Sequence, residues 1–153
     1  MKLSILGKSF ASLLGALLLT AVAQPNDSRK EIHAVIQAQQ DAWNRGDIDA
    51  FMNGYWRSDE TVFVSGDEIM RGWQSVLERY RRKYSDREKM GTLTFSEVKI
   101  DMLSSDAAVA LGRWELKRKS DNPHGRFTLI FRQMPEGWRI VHDHTSAAPS
   151  PTH

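Results

Sequence analysis

Two periodicities divide the chain. From Ile32 to Trp43 apolar residues return at helical spacing (Ile32, Val35, Ile36 and Trp43, with Gln39 on the same stripe), whereas beyond Gly91 the alternation is that of strands. Ser28-Arg29-Lys30-Glu31 has the residues of a capping box, which predicts that the first helix starts there. Gly46 ends it. Asp47 can cap a short second helix carrying Ile48, Phe51 and Met52, closed by Gly54. Thr61-Val62-Phe63-Val64 is a β-branched and aromatic strand that stops in the turn Ser65-Gly66-Asp67. A third helix is predicted over about Gly72 to Tyr84, with Trp73, Val76, Leu77, Tyr80 and Tyr84 on one face. Its basic residues Arg79, Arg81, Arg82 and Lys83 fall mostly on the other faces and read as a solvated surface.

Four strands follow, at about Leu93–Leu103, Ala107–Lys119, Gly125–Met134 and Gly137–Ser146. Short turns at Ser104-Ser105-Asp106, Ser120-Asp121-Asn122-Pro123 and Pro135-Glu136-Gly137 make consecutive strands antiparallel. Helices gathered first and a strand meander last predict an α+β domain, with helices covering one face of a curved sheet. Such a sheet leaves a cone with a pocket where the first helix closes it incompletely. Residues 147–153 read as a loose tail.

The first 23 residues follow a different pattern. Lys2 and Lys8 precede the apolar run Leu13-Leu14-Gly15-Ala16-Leu17-Leu18-Leu19, and Ala21-Val22-Ala23 is a small-x-small cleavage site. The run is too short for a membrane-spanning helix, which needs about 20 apolar residues. A signal peptide cleaved after Ala23 is therefore expected, with no stable membrane anchor afterwards and a periplasmic or secreted product.

Cleavage changes the charge picture. Without Lys2 and Lys8 the remaining 130 residues carry 19 basic and 19 acidic side chains, so the basic character of the whole chain disappears. No nucleic-acid partner is implied. The absence of cysteine excludes disulfides, thiolate metal sites, a cysteine nucleophile and a lipid-attachment cysteine.

The element order, taken with Arg71-Gly72-Trp73, Gly91-Thr92-Leu93-Thr94-Phe95, Gly112-Arg113-Trp114, Gly125-Arg126-Phe127-Thr128-Leu129 and Gly137-Trp138-Arg139-Ile140-Val141-His142-Asp143-His144-Thr145-Ser146, resembles the NTF2-like superfamily. The local motifs look most like its small DUF4440 (SnoaL-like) domains, over about Arg29 to Ser146. The resemblance implies an NTF2-like cone, N-terminal helices on a curved, mainly antiparallel sheet, often a homodimer packed through the outer sheet face. It implies little about chemistry, because the superfamily hosts isomerases, cyclases, dehydratases and binding domains alike.

Candidate chemistry centres on His142 and His144. Strand alternation places Trp138, Ile140, His142 and His144 on one face and Asp143 on the other. The Trp and Ile predict that the histidine face looks inward, where two imidazoles would suit acid/base catalysis or a hydrogen bond to a ligand. A structural role for both is the plainer alternative. Asp143, on the opposite face, does not orient either ring. His-x-His also suits a metal, but His33, His124, Asp41 and Glu115 are not brought close by any spacing, so neither metal nor cofactor is expected. Ketosteroid isomerases keep an acidic base at the end of the first strand and a tyrosine on the first helix. Val62-Phe63-Val64-Ser65-Gly66 has no carboxylate, and Trp43 is the aromatic residue of the helix, which argues against that chemistry.

Tyr55, Trp56, Trp43, Trp73 and Trp114 fall on elements expected around the cone, and Tyr55-Trp56 is the leading pair for ligand contact. Trp43 and Trp73 also suit plain core positions. Arg113 and Arg126 lie within strands and need Glu97, Glu115, solvent or an acidic ligand as partner. Two readings remain. One is an exported binding or dimeric accessory domain for a small apolar or aromatic ligand. The other is a cofactor-free SnoaL-like enzyme (isomerase, cyclase, dehydratase or hydrolase) that uses His144 or His142.

Overall fold

The computed structural model describes residues 25–149, so the expected signal peptide lies outside the described residues. Two helices, α1 (Pro25–Asn44) and α2 (Ile48–Met52), precede a hairpin of β1 (Val62–Ser65) and β2 (Glu68–Arg71). Then come α3 (Trp73–Lys83), the single turn α4 (Arg87–Met90), and four longer strands, β3 (Thr92–Met102), β4 (Ala107–Lys117), β5 (His124–Met134) and β6 (Gly137–Thr145). The six strands make one sheet in the order β2-β1-β6-β5-β4-β3. Every neighbouring pair is antiparallel except β1 and β6, which run parallel. The helices lie against the concave side, giving the expected α+β cone.

Three local expectations are corrected. Helix α1 begins at Pro25, three residues before the expected cap, and Ser28 is buried within its first turns. Proline suits a helix start because the amide it lacks would have no intrahelical acceptor there. The short strand β2 and the turn α4 were not anticipated. Glu68-Ile69-Met70-Arg71 is exposed along most of its length and so has no buried alternation to reveal it. Asp86 caps α4 by accepting from the Lys89 amide at 2.9 Å.

The core sits between α1, α2, α3 and the sheet. Ile32, Ile36, Gln39 and Trp43 form the buried stripe of α1, and Phe131 and Ile140 are fully enclosed on the sheet side. Side chains of that size contribute about 1.5–3 kcal/mol each when removed from water. The polar flank of α1 closes the edge of the sheet. Gln40 Oε1 accepts the Phe95 amide at 2.6 Å, and Asn44 exchanges two bonds with the Leu93 backbone, at 2.8 and 3.0 Å. These contacts satisfy backbone groups of β3 that no further strand would pair.

Two β-bulges shape the cone. In β3, Glu97 and Val98 together face Gly112, and Glu97 adopts a φ of 54°. In β6, Val141 is the extra residue: Ile140 pairs with Phe131 and His142 with Ile130. A bulge adds one residue to one strand, so the faces exchange across it. The second bulge lies where β6 changes neighbours. Gly54 and Trp56 bond to the Ile140 backbone on one side of it, and β1 begins to pair at His142 on the other.

Candidate functional site

The bulge at Val141 decides which side chains reach the cone's interior. Trp138 and Ile140 point inward as expected, but beyond the bulge Asp143 and Thr145 take the inward positions. His142 is half-buried and His144 exposed, on the outer face beside Val62 and Val64 of β1. The expected inward histidine face is therefore overturned. The pKa of His142 is lowered by its partial burial and by the neighbouring His144 and Arg71.

The inward residues enclose a cavity of about 110 Å³. This is comparable with the ~150 Å³ apolar cavity that admits benzene in an engineered core. Phe95, Trp114, Phe127 and Leu129 form its sheet wall, and Trp43, Phe51 and Tyr84 its helical wall. Edge-to-face aromatic pairs stiffen it: Trp43 meets Tyr84 at 4.7 Å and Phe51 at 5.2 Å, and Phe51 meets Tyr80 at 5.1 Å between ring centroids. Lys83 and Ala147 are the exposed members of the lining and mark the mouth. The chain stays on β5 past the end of β6, with the Ser146 amide donating to Arg126 and the Ala148 amide to His124, each to the backbone carbonyl. Ala147 and Ala148 are thus not part of a loose tail.

Asp143 is the carboxylate inside. It is buried, and the Tyr55 hydroxyl donates to its Oδ2 at 2.6 Å. The Tyr80 hydroxyl lies 3.4 Å from that of Tyr55, so the two phenols and the carboxyl form a short chain. Oδ1 of Asp143 is buried with no hydrogen-bond partner. Burial pushes the Asp143 pKa up to about 6, opposed by the Tyr55 hydrogen bond, the nearby Thr145 hydroxyl and the positive charge of Arg79. Both phenols are raised well above the usual tyrosine range, chiefly by burial and then by the charge of Asp143. They stay protonated and act as donors. A carboxyl that titrates near neutrality at the end of a chain of two protonated phenols can accept from a ligand, or exchange a proton with one.

Of the other candidates, Tyr55, Trp43 and Trp114 line the cavity. Trp43 donates its indole N–H to the Met90 carbonyl at 3.1 Å, and Trp114 donates to the Ser146 carbonyl at 3.0 Å, so the N–H of each ring is already engaged by the protein. Trp56 is outside the lining and uses its backbone amide on Ile140. Trp73 is a core residue that donates to Met52 O at 3.0 Å, with Arg57 stacked over its ring. Arg113 and Arg126 do not line the cavity. They lie on the outer sheet face in ion pairs with Glu115 and Glu97, the partners their strand positions call for. The aromatic residues are thus largely brought together, and the histidines and arginines are not.

Sequence reasoning missed Asp143, Tyr80, Arg79 and Lys83 as cavity residues. The register explains the first, since Asp143 stands directly beside Phe63 in the parallel pairing of β6 with β1. The parallel pairing thus sets the carboxyl of β6 beside the aromatic residue of β1. Arg79 and Lys83 lie one helical turn apart, on the edge of the apolar face of α3 that also carries Tyr80. By contrast, Arg81 and Arg82 are exposed and pair with Asp49 and Glu78, as a solvated helix face should. Among the described residues there is no group of three or more His, Asp or Glu that could hold a metal ion. No described helix is long and apolar enough to cross a membrane.

A family model for the SnoaL-like domain matches residues 32–150. Among solved structures, an NTF-2 like protein of unknown function from Shewanella oneidensis MR-1 is 40% identical, over 80% of this chain and 99% of that one, with a TM-score of 0.74. An NTF2-like superfamily protein from Salmonella enterica is 23% identical over 84% and 96% of the two chains, with a TM-score of 0.66. A ketosteroid isomerase-like protein from Erwinia carotovora atroseptica is 22% identical over 82% and 99%, with a TM-score of 0.65, a likeness of fold. No curated protein matches the chain. With the motif order, the cone and the family model in agreement, the chain belongs to the SnoaL-like domain family of the NTF2-like superfamily.

Proposed function

We propose that this chain is an exported ligand-binding domain, acting in the periplasm or outside the cell as a homodimer. Its cone takes up a one-ring or short apolar molecule that carries a hydrogen-bond donor. One observation supports this above the rest: Asp143 Oδ1 is buried without a partner in a protein that satisfies Oδ2 of the same carboxyl with Tyr55. An unmet buried acceptor is costly, by about 1–3 kcal/mol, and a ligand donor would remove that cost. The aromatic walls supply the apolar contact and the volume limits the ligand to about one ring.

Phenol and toluene, which differ only in hydroxyl against methyl, test this reading, with tryptophan emission from Trp43 and Trp114 reporting occupancy. Phenol should bind with saturation and at least about tenfold more tightly than toluene, the worth of one buried hydrogen bond. Toluene binding as tightly as phenol would remove the role of Asp143.

A second reading has its own support. A carboxyl with a pKa of about 6 beside a protonated phenol suits a cofactor-free enzyme of the SnoaL-like type, with Asp143 as the acid/base in place of the outer-face histidines. Turnover of a bound one-ring substrate that is abolished by Asp143→Asn, with binding retained, would favour it over the accessory role.

A further inference from the structure

The cavity is not uniformly apolar. Its depth holds Asp143 and the two phenols, and one helix brings two cations to its lining, Arg79, largely buried, and Lys83, exposed at the mouth. Neither cation has a carboxylate within hydrogen-bond reach among the described residues. The carboxylate within 4 Å of Arg79 is Glu68, whose oxygen stands 3.8 Å from Nε, beyond hydrogen-bond reach, and which is itself largely exposed. The Arg79 guanidinium instead lies over the Phe63 ring, 4.6 Å from its centroid, which holds it at the cavity wall. Among the described residues no carboxylate comes within salt-bridge distance of Lys83. Burial and the positive charges of Arg79 and Arg118 press its pKa down, and Glu68 opposes them least. Arg118, outside the lining and paired with Asp121 at 3.5 Å, adds a further positive charge near Lys83.

An ammonium without a carboxylate partner beside a loosely paired guanidinium leaves unmet positive charge in the lining of an apolar cavity. A guanidinium and an ammonium one turn apart match a carboxylate. We propose that the molecule taken up is a one-ring or short-chain organic acid, its apolar body among the aromatic walls and its carboxylate at Arg79 and Lys83. This rests on the cavity being a ligand site. It adds the chemical class: an amphiphilic acid whose far end, if hydroxylated, donates to Asp143. The acid enters body first, so its carboxylate stays near solvent and needs little desolvation, while the paired cations lose their mutual repulsion.

The probes are 4-hydroxyphenylacetate and its neutral isostere 4-hydroxyphenylacetamide, titrated into the mature protein with tryptophan emission as readout. The acid should bind about tenfold or more tightly than the amide at about 0.05 M salt, and the gap should shrink toward about 0.5 M as screening grows. Lys83→Gln should weaken the acid several-fold and leave the amide unchanged. Arg82→Gln, which removes the same charge from an exposed position outside the cavity, should leave both unchanged. Equal affinity for acid and amide overturns the inference while leaving the cavity a ligand site. So does a loss in Arg82→Gln that matches the loss in Lys83→Gln, since only net charge would then matter. No saturable binding of either probe overturns both the inference and the reading it rests on.

Discussion

The Tyr55 hydroxyl donates to Asp143 Oδ2 across 2.6 Å, joining the loop after α2 to the last strand inside the cone. The two residues are 88 positions apart, and the same loop meets β6 through a backbone bridge between Tyr55 and Ile140. The bridge fixes the loop and the hydroxyl fixes the carboxyl. What this leaves free is Oδ1, and the functional reading turns on that atom.

Burial of Asp143 gives stability a distinctive pH dependence. Its folded pKa of about 6 lies above the model-peptide 3.8, so the folded state holds its proton more tightly than the unfolded chain does. Below pH 4 the group has no effect. Between about pH 4 and 6 its contribution turns unfavourable as pH rises, reaching on the order of 3 kcal/mol above pH 6. Chemical denaturation of wild type and Asp143→Asn from pH 4 to 8 should show the variant gaining on wild type across that window. Parallel profiles would contradict this.

Tyr55→Phe removes the donor that stabilises the ionised carboxyl. The Asp143 pKa should rise further, and stability should fall by about 1.5–3 kcal/mol at pH 8, where the carboxylate loses a charge-assisted bond. At pH 5, with Asp143 protonated, the loss should be smaller. Urea melts at the two pH values check the difference.

Gly125 sits under the segment that leaves β6. A Cβ at this position would overlap the Ser146 carbonyl oxygen, a backbone atom with no rotamer to yield. Gly125→Ala should therefore cost about 3 kcal/mol or more, at the upper end for overpacking. It should also displace Ala147 from the mouth of the cavity. A thermal melt measures the first effect and probe binding the second.

His142→Ala and His144→Ala should leave probe affinity within about twofold of wild type, because both rings occupy the outer sheet face. Fluorescence titration of each variant checks this. A large loss in either would restore the histidines to the site.

The strands β3 to β6 were legible to within one or two residues, because long alternating segments between tight turns admit few other readings. Tyr55, Trp43 and Trp114 were legible as cavity residues for a similar reason, being aromatic residues on elements that must border a cone. His142 and Asp143 were misplaced by a single residue, Val141. A bulge has no signature in alternation itself, and this one depends on a change of neighbour from the Tyr55 loop to β1. Arg79 and Lys83 were hidden among four basic residues on α3, two of which do face solvent. Only the closeness of the helix to the open end of the sheet separates the pairs.

The most direct measurement is a carbon-13 NMR titration of the Asp143 side-chain carboxyl, assigned by its loss in Asp143→Asn and repeated with saturating phenol. The account predicts a midpoint near 6 in the free protein. With phenol bound the midpoint should fall, because a donor to Oδ1 favours the ionised form. An Asp143 carboxyl that titrates in the ordinary range below about 4, or a midpoint that phenol does not move, would contradict it.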